Sequence, residues 1–107
     1  MKNTSGLTPL GRAVLIQPYE PEIRQGLIQL PESVKATTTM LEQRATVVAV
    51  GECAWDDEKN PRALPGDKVL VTKFAGYMAV GPEDGVQYRL VNDRDIFARI
   101  EVAGGDL

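Results

Sequence analysis

The sequence contains no histidine and a single cysteine, Cys53. Histidine is the usual general base near neutral pH and the commonest metal ligand. Without it, and with one thiol, a His/Cys zinc site cannot be assembled within one chain. A serine or cysteine nucleophile lacks its customary imidazole partner. A lone cysteine also rules out an intramolecular disulfide, in agreement with a reducing compartment. The expectation is therefore a non-enzyme with no catalytic residues, no metal and no cofactor. Carboxylate pairs stay open, because Asp and Glu number 15.

Long apolar runs are also missing. None approaches the roughly 20 residues that a membrane helix requires, so no membrane partner is expected. Residues 1–6, MKNTSG, carry one positive charge and no apolar stretch follows them. No secretory signal is read there, and a cytoplasmic location is expected. Basic residues do not cluster and the net charge is -3, which disfavours a nucleic-acid partner. Nor is there a phosphate cradle. Gly81-Pro82-Glu83-Asp84-Gly85 is acidic, and Pro82 has no N–H to offer an anion.

What is present is a single domain of 107 residues, 43% hydrophobic and 25% charged, with no room for a second core. Short β-rich segments alternate with turn signals. Arg12–Gln17 is apolar and ends at Pro18. Thr46–Val50 is a short apolar run that ends at Gly51, the pattern of a strand buried on both faces. Pro65-Gly66-Asp67 turns the chain into Lys68–Thr72. Gly76 precedes Tyr77–Val80. Val86–Leu90 alternates, predicting one buried and one wet face. In the last segment Ile96, Ala98, Ile100 and Val102 line one face, and Phe97, Arg99 and Glu101 the other. Several short strands with regular turns predict an all-β, partly open barrel. Asp67, Asp93 and Asp95 read as turn residues rather than catalytic carboxylates.

Two stretches fall outside this pattern. Residues from about 19 to 43 form a long connection mixing prolines, charges and Thr37-Thr38-Thr39. So long a connection in a small domain is functional or unstructured. Residues from about 51 to 64 are polar apart from Trp55 and have the character of a hairpin loop. Within the first stretch, Ile28 and Leu30 stand two apart among charged neighbours. In an extended chain they point to one side and Gln29 to the other. Leu27 shares the side of Gln29, so a Leu27–Ile28 contact is the alternative register. A strand packed on the protein's own core is the other reading of these residues.

The order of these features resembles the GroES-type co-chaperonins over about residues 8 to 102. Pro9-Leu10 before Ala13-Val14-Leu15-Ile16 is similar to the family's opening strand. Gly26-Leu27-Ile28-Gln29-Leu30-Pro31 resembles its G-G-I-V-L-P loop, with Leu27 in place of the second glycine and Gln29 in place of an apolar residue. Arg44–Gly51, Pro65–Val69, Gly76-Tyr77 and Asp95-Ile96 follow in family order. The segment 32–43 is longer than the family pattern, and the piece between Gly51 and Pro65 shorter. This degree of divergence is similar to that of members carried by bacteriophages.

The resemblance implies a mobile loop that folds onto a GroEL-type chaperonin through Gly26, Leu27, Ile28, Gln29, Leu30 and Pro31. It implies a homo-heptameric lid that encloses an unfolded substrate protein, with ATP handled by the chaperonin. It also implies that Tyr77 faces the chamber, and that Trp55, Asp56 and Asp57 sit on a roof hairpin. A packed tyrosine and a solvated turn are the plainer readings of those two places. Ring closure would pair the segment before Ile16 with Ile96–Val102 of a neighbour, against closure within one barrel. A monomeric β-barrel adaptor or virion component with another protein partner is the alternative function. Burying one Ile or Leu contributes about 1.5–3 kcal/mol, and ordering a flexible segment costs about 2–5 kcal/mol. One loop is therefore a weak ligand, and several on one ring gain effective concentration.

Overall fold

The computed structural model describes residues 2–19 and 41–101. Among the described residues, six strands make one antiparallel sheet: β1 (Ala13–Pro18), β2 (Arg44–Val50), β3 (Lys68–Val71), β4 (Tyr77–Val80), β5 (Gln87–Asn92) and β6 (Ile96–Arg99). Their spatial order is β4-β5-β1-β2-β3-β6. The expected all-β architecture is therefore present, and each strand read from the sequence is found within a few residues of its predicted bounds. A turn of 3-10 helix, Asp93–Asp95, joins β5 to β6.

The central strand explains the rest. β1 carries Val14, Leu15 and Ile16, all fully buried, and pairs with β2 on one side and β5 on the other. Side chains alternate across a sheet. Val14 and Ile16 accordingly enter one cluster, with Val47, Val69, Val71, Val91, Ile96 and Trp55. Leu15 enters a second, smaller cluster with Val48 and Tyr88, against which Leu7 packs. The prediction that β2 is buried on both faces holds for the same reason: Val47 belongs to the first cluster and Val48 to the second.

Two irregularities bend the sheet. The β1–β2 register shifts between Leu15 and Ile16, whose partners are Ala49 and Val47. Val48 is the extra residue, and such a bulge increases local twist. The β3–β6 register shifts between Leu70 and Val71, whose partners are Ala98 and Ile96. That leaves Phe97 out of the ladder. The predicted alternation of the last strand fails here. Ile96 is buried, but Phe97, Ala98 and Arg99 are all exposed. The bulge and the edge position of β6 together remove the second layer that would have covered Ala98. Val102 lies outside the described residues.

A second expectation also needs correction. The alternating strand β5 was to have one wet face, yet Tyr88 and Arg89, on opposite faces, are both buried. Arg89 pairs with Ile16 and Met78 in the sheet, so its side chain projects with Val91 toward the larger cluster.

Candidate functional site

The segment Gly26–Pro31 lies outside the described residues, as do residues 20–40 as a whole. Its roots are described. The chain leaves the sheet at Pro18 and returns at Ala45, which are register partners. One residue further out, the Tyr19 N–H donates to the Arg44 carbonyl at 2.9 Å. The Arg44 guanidinium lies over the Tyr19 ring, 4.1 Å from its centroid, a cation–π geometry. Arg44 also forks onto the carboxylate of buried Glu42, with Nε–Oε2 of 3.0 Å and Nη2–Oε1 of 2.9 Å. The Arg44 N–H donates to the same carboxylate at 3.0 Å. Hydrogen bonding to Glu42 raises the Arg44 pKa above its ordinary value. The two stems are thus clamped side by side by one arginine.

Behind this clamp stands Arg89, only 1% exposed. Its Nε donates to the Ala75 carbonyl at 2.8 Å, Nη1 to the Glu42 carbonyl at 3.0 Å and Nη2 to the Thr72 carbonyl at 2.8 Å. These carbonyls lie on connections between strands, where a guanidinium fork can satisfy three at once. Burial lowers the Arg89 pKa from its ordinary value, with attraction to Asp95 acting the other way. Sequence reading missed this residue, because an arginine in an alternating strand looks like part of a wet face.

The second predicted place, 51–64, contains turns and bends and no strand. Trp55 is 3% exposed and belongs to the larger core cluster. Its backbone adopts a left-handed φ of 57°. Asp93 holds that conformation from both sides. The Asp93 carboxylate accepts the Trp55 N–H at 2.8 Å, and the Asp93 carbonyl accepts the indole Nε1–H at 2.8 Å. Trp55 is therefore not a solvated incidental residue: it plugs the sheet.

Asp56 and Asp57 face outward and engage cations. Arg12 meets Asp56 at 2.6 Å and Asp57 at 3.4 Å, and Arg94 also pairs with Asp57. These are half-exposed pairs of small individual effect. Asp67 accepts the Leu64 N–H at 2.9 Å, and Asp95 accepts the Asn92 N–H at 3.0 Å. With Asp93 on Trp55, all three predicted turn aspartates hold backbone.

Tyr77 begins β4, an edge strand, and is 63% exposed. It is therefore not a packed core tyrosine. With Thr8, Pro9, Leu10 and Leu90 it lines an open groove of about 370 Å³. Exposed Phe74 lies three residues before it, also in a left-handed conformation with φ of 59°. At the opposite edge β6 pairs, among the described residues, with β3 alone, and Phe97 is 70% exposed beside it. The edges matter for assembly: β1 is occupied on both sides, so residues 13–16 cannot pair with another copy. On this side of the described residues, the segment before Ala13 is left for such pairing.

Among the described residues, no group of three or more Cys, Asp or Glu side chains is placed to hold a metal, and no helix is long and apolar enough to cross a membrane.

Compared with known proteins, residues 6–100 match the family model of the chaperonin 10 kDa subunit. The chain belongs to that family. A co-chaperonin GroES from Methylacidiphilum infernorum is 36% identical over 101 residues, covering 89% of this chain and 94% of the relative. One from Thermotoga petrophila is 39% identical over 95 residues, covering 87% and 94%. One from Pseudothermotoga lettingae is 38% identical over 96 residues, covering 89% and 97%. The chaperonin 10 match spans every strand of the sheet, both stems and the groove beside Tyr77.

Proposed function

We propose that this chain is a co-chaperonin: a ring-shaped lid on a GroEL-type chaperonin that assists ATP-dependent folding of an enclosed, unfolded substrate protein. The observation that carries this reading is the family match over residues 6–100, with relatives named co-chaperonin GroES along nearly their full length. The lid performs no catalysis; nucleotide chemistry belongs to the chaperonin. It works in the cytoplasm as a homo-heptamer. Contact with the chaperonin runs through Gly26–Pro31, with Ile28 and Leu30 as the apolar anchors. The clamp of Tyr19, Glu42 and Arg44 supports the reading, because it joins both stems of that segment to the sheet.

Ring closure uses the free edge of β6 and the N-terminal segment before Ala13 of the next copy. The exposed Phe97 and the groove beside Leu10, itself 79% exposed, support this pairing. Tyr77 and Phe74 face the chamber.

The test is native mass measurement with and without chaperonin and nucleotide, together with Ile28→Ser. The parent is expected to form a ring and to bind chaperonin, and Ile28→Ser to keep the ring and lose the binding. A monodisperse monomer at micromolar concentration would overturn the lid in favour of a monomeric adaptor. Undiminished binding by Ile28→Ser would move the contact elsewhere.

A further inference from the structure

Arg89 ties together two places that the backbone otherwise joins through the β2–β3 ladder and the Val71 N–H to Gln43 carbonyl bond at 2.7 Å. One is the returning stem of residues 20–40, reached through the Glu42 carbonyl at 3.0 Å. The other is the turn that carries Phe74, reached through the Thr72 and Ala75 carbonyls at 2.8 Å each. The Glu42 carboxylate grips Arg44, and Arg44 covers Tyr19. An unbroken chain of contacts therefore runs from the Phe74 turn, through one guanidinium, to both stems. The cation is buried and answered by carbonyl dipoles. An apolar residue, such as its register partner Ile16, would suit core packing at this position but would release all three carbonyls.

We propose that Arg89 is a positioning residue for chaperonin engagement: it holds the stems of the binding segment and the Phe74 turn as one body. The inference rests on the reading that Gly26–Pro31 binds the chaperonin. A preorganised stem lowers the ordering loss on binding. Through Arg89, binding at the segment also reaches the aromatic turn, since a force on the Glu42 backbone is a force on Ala75. Lysine keeps the charge but not the planar fork, and cannot hold three carbonyls in fixed directions.

The experiment compares the parent, Arg89→Lys and a control, Tyr88→Phe, whose side chain lies on the other face of β5 and donates to Asp84. Affinity for nucleotide-bound chaperonin is read beside backbone amide exchange in the free protein. Arg89→Lys is expected to keep the ring mass, to bind about tenfold more weakly, and to exchange faster at Gln43 and at Phe74–Gly76 together. Amides of β6 keep the parental rate. Tyr88→Phe is expected to bind like the parent. Equal affinity of Arg89→Lys and parent overturns the proposal, as does faster exchange at only one of the two segments. Arg44→Gln, at a half-exposed site, guards against failure of the lysine variant to fold. It should weaken binding and speed exchange at Gln43 while Phe74–Gly76 stay unchanged; parental binding by Arg44→Gln also overturns the proposal. If the parent itself does not bind chaperonin, the co-chaperonin reading fails, and the exchange pattern still decides whether Arg89 couples the two segments.

Discussion

Replacing Trp55 tests how the shortened segment between Gly51 and Pro65 is held. The indole is 3% exposed and packs in the cluster of Val14, Ile16, Val47 and Val71. Truncating a buried Trp to Ala costs about 3–5 kcal/mol in lost transfer and residual cavity. The Asp93 carbonyl would lose the Nε1–H bond of 2.8 Å but keep the Ile96 N–H. Loss of one such hydrogen bond adds about 0.5–1.5 kcal/mol. Small domains have only about 5–15 kcal/mol in total. With a urea m-value of about 1–3 kcal/mol/M, Trp55→Ala should lower the midpoint by about 2 M or more.

Trp55→Phe keeps most of the apolar contact and loses the indole donor, so it should cost about 1–3 kcal/mol. The backbone supplies a sharper discriminator. In an ordinary position Gly is less stable than Ala by about 0.5–1 kcal/mol. At a φ of 57° a side chain costs about 1–2 kcal/mol that Gly avoids. Trp55→Gly should therefore be at least as stable as Trp55→Ala. The assay is urea unfolding followed by far-UV circular dichroism at one fixed protein concentration, because assembly adds concentration-dependent stability. A Trp55→Ala unfolding free energy within about 0.5 kcal/mol of the parent would put the ring in solvent and refute the plug. A glycine variant clearly below the alanine variant would refute the left-handed backbone.

Two further outcomes follow from local geometry. At Gly76, with φ of 64°, an added Cβ would overlap the Leu90 carbonyl oxygen, whereas at Gly85, with φ of 69°, it meets nothing within 4 Å. Gly76→Ala should thus cost several-fold more stability than Gly85→Ala, which carries only the backbone term of about 1 kcal/mol; equal losses in urea unfolding would contradict the close approach of the two strands. Asp84 accepts from the Tyr88 phenol, from the Val86 N–H and from Thr4, and the Tyr88 bond is the main cause that holds its carboxyl below the ordinary value. A depressed carboxyl contributes stability that is present above the unfolded pKa of about 3.9 and is lost as pH falls through the folded value. Thermal melting between pH 2 and 6 should show a shallower acid loss for Asp84→Asn than for the parent; parallel profiles would remove Asp84 from the acid response.

The strands were legible because their signals are local. Val14-Leu15-Ile16 announces an apolar strand and Val47-Val48 two-sided burial by composition, and Pro65-Gly66-Asp67 announces a turn by backbone chemistry. The misses share a different cause. Ala98 does not share the burial of Ile96, because a bulge opposite Leu70 and Val71 breaks the period of two, and no residue in β6 signals it. Trp55 was read as a loop residue because its neighbours are Asp56, Asp57 and Glu58. Its partner, Asp93, lies 38 positions away, and only the fold brings the two together. Arg89 was read as wet because a charge is costly to bury. Its three carbonyl partners lie 14, 17 and 47 positions away, and no local pattern encodes that satisfaction. The Gly26–Pro31 segment lies outside the described residues, so its reading rests on family order and on the spacing of Ile28 and Leu30.

On the proposed reading, the weakness of one binding segment and the contacts that tie its stems together act jointly. Two buried apolar anchors contribute about 3–6 kcal/mol, against an ordering loss of about 2–5 kcal/mol. The net effect per copy is close to zero, so affinity depends on how many copies engage and how well each is placed. Effective concentration falls steeply when a tether cannot present its ligand at the partner's site. A ring of segments with loose stems would therefore lose the advantage of being a ring. Arg44 stacked on Tyr19, forked onto Glu42 and backed by buried Arg89, fixes where each segment starts and ends. The side chains that bind and the side chains that aim are then different residues. Substitutions at Ile28 or Leu30 should alter the strength of each contact, whereas substitutions at Arg89 or Arg44 should alter how many contacts form together. Measured against chaperonin, the first class should weaken even an isolated peptide spanning residues 20–40, and the second should leave that peptide untouched while weakening the ring.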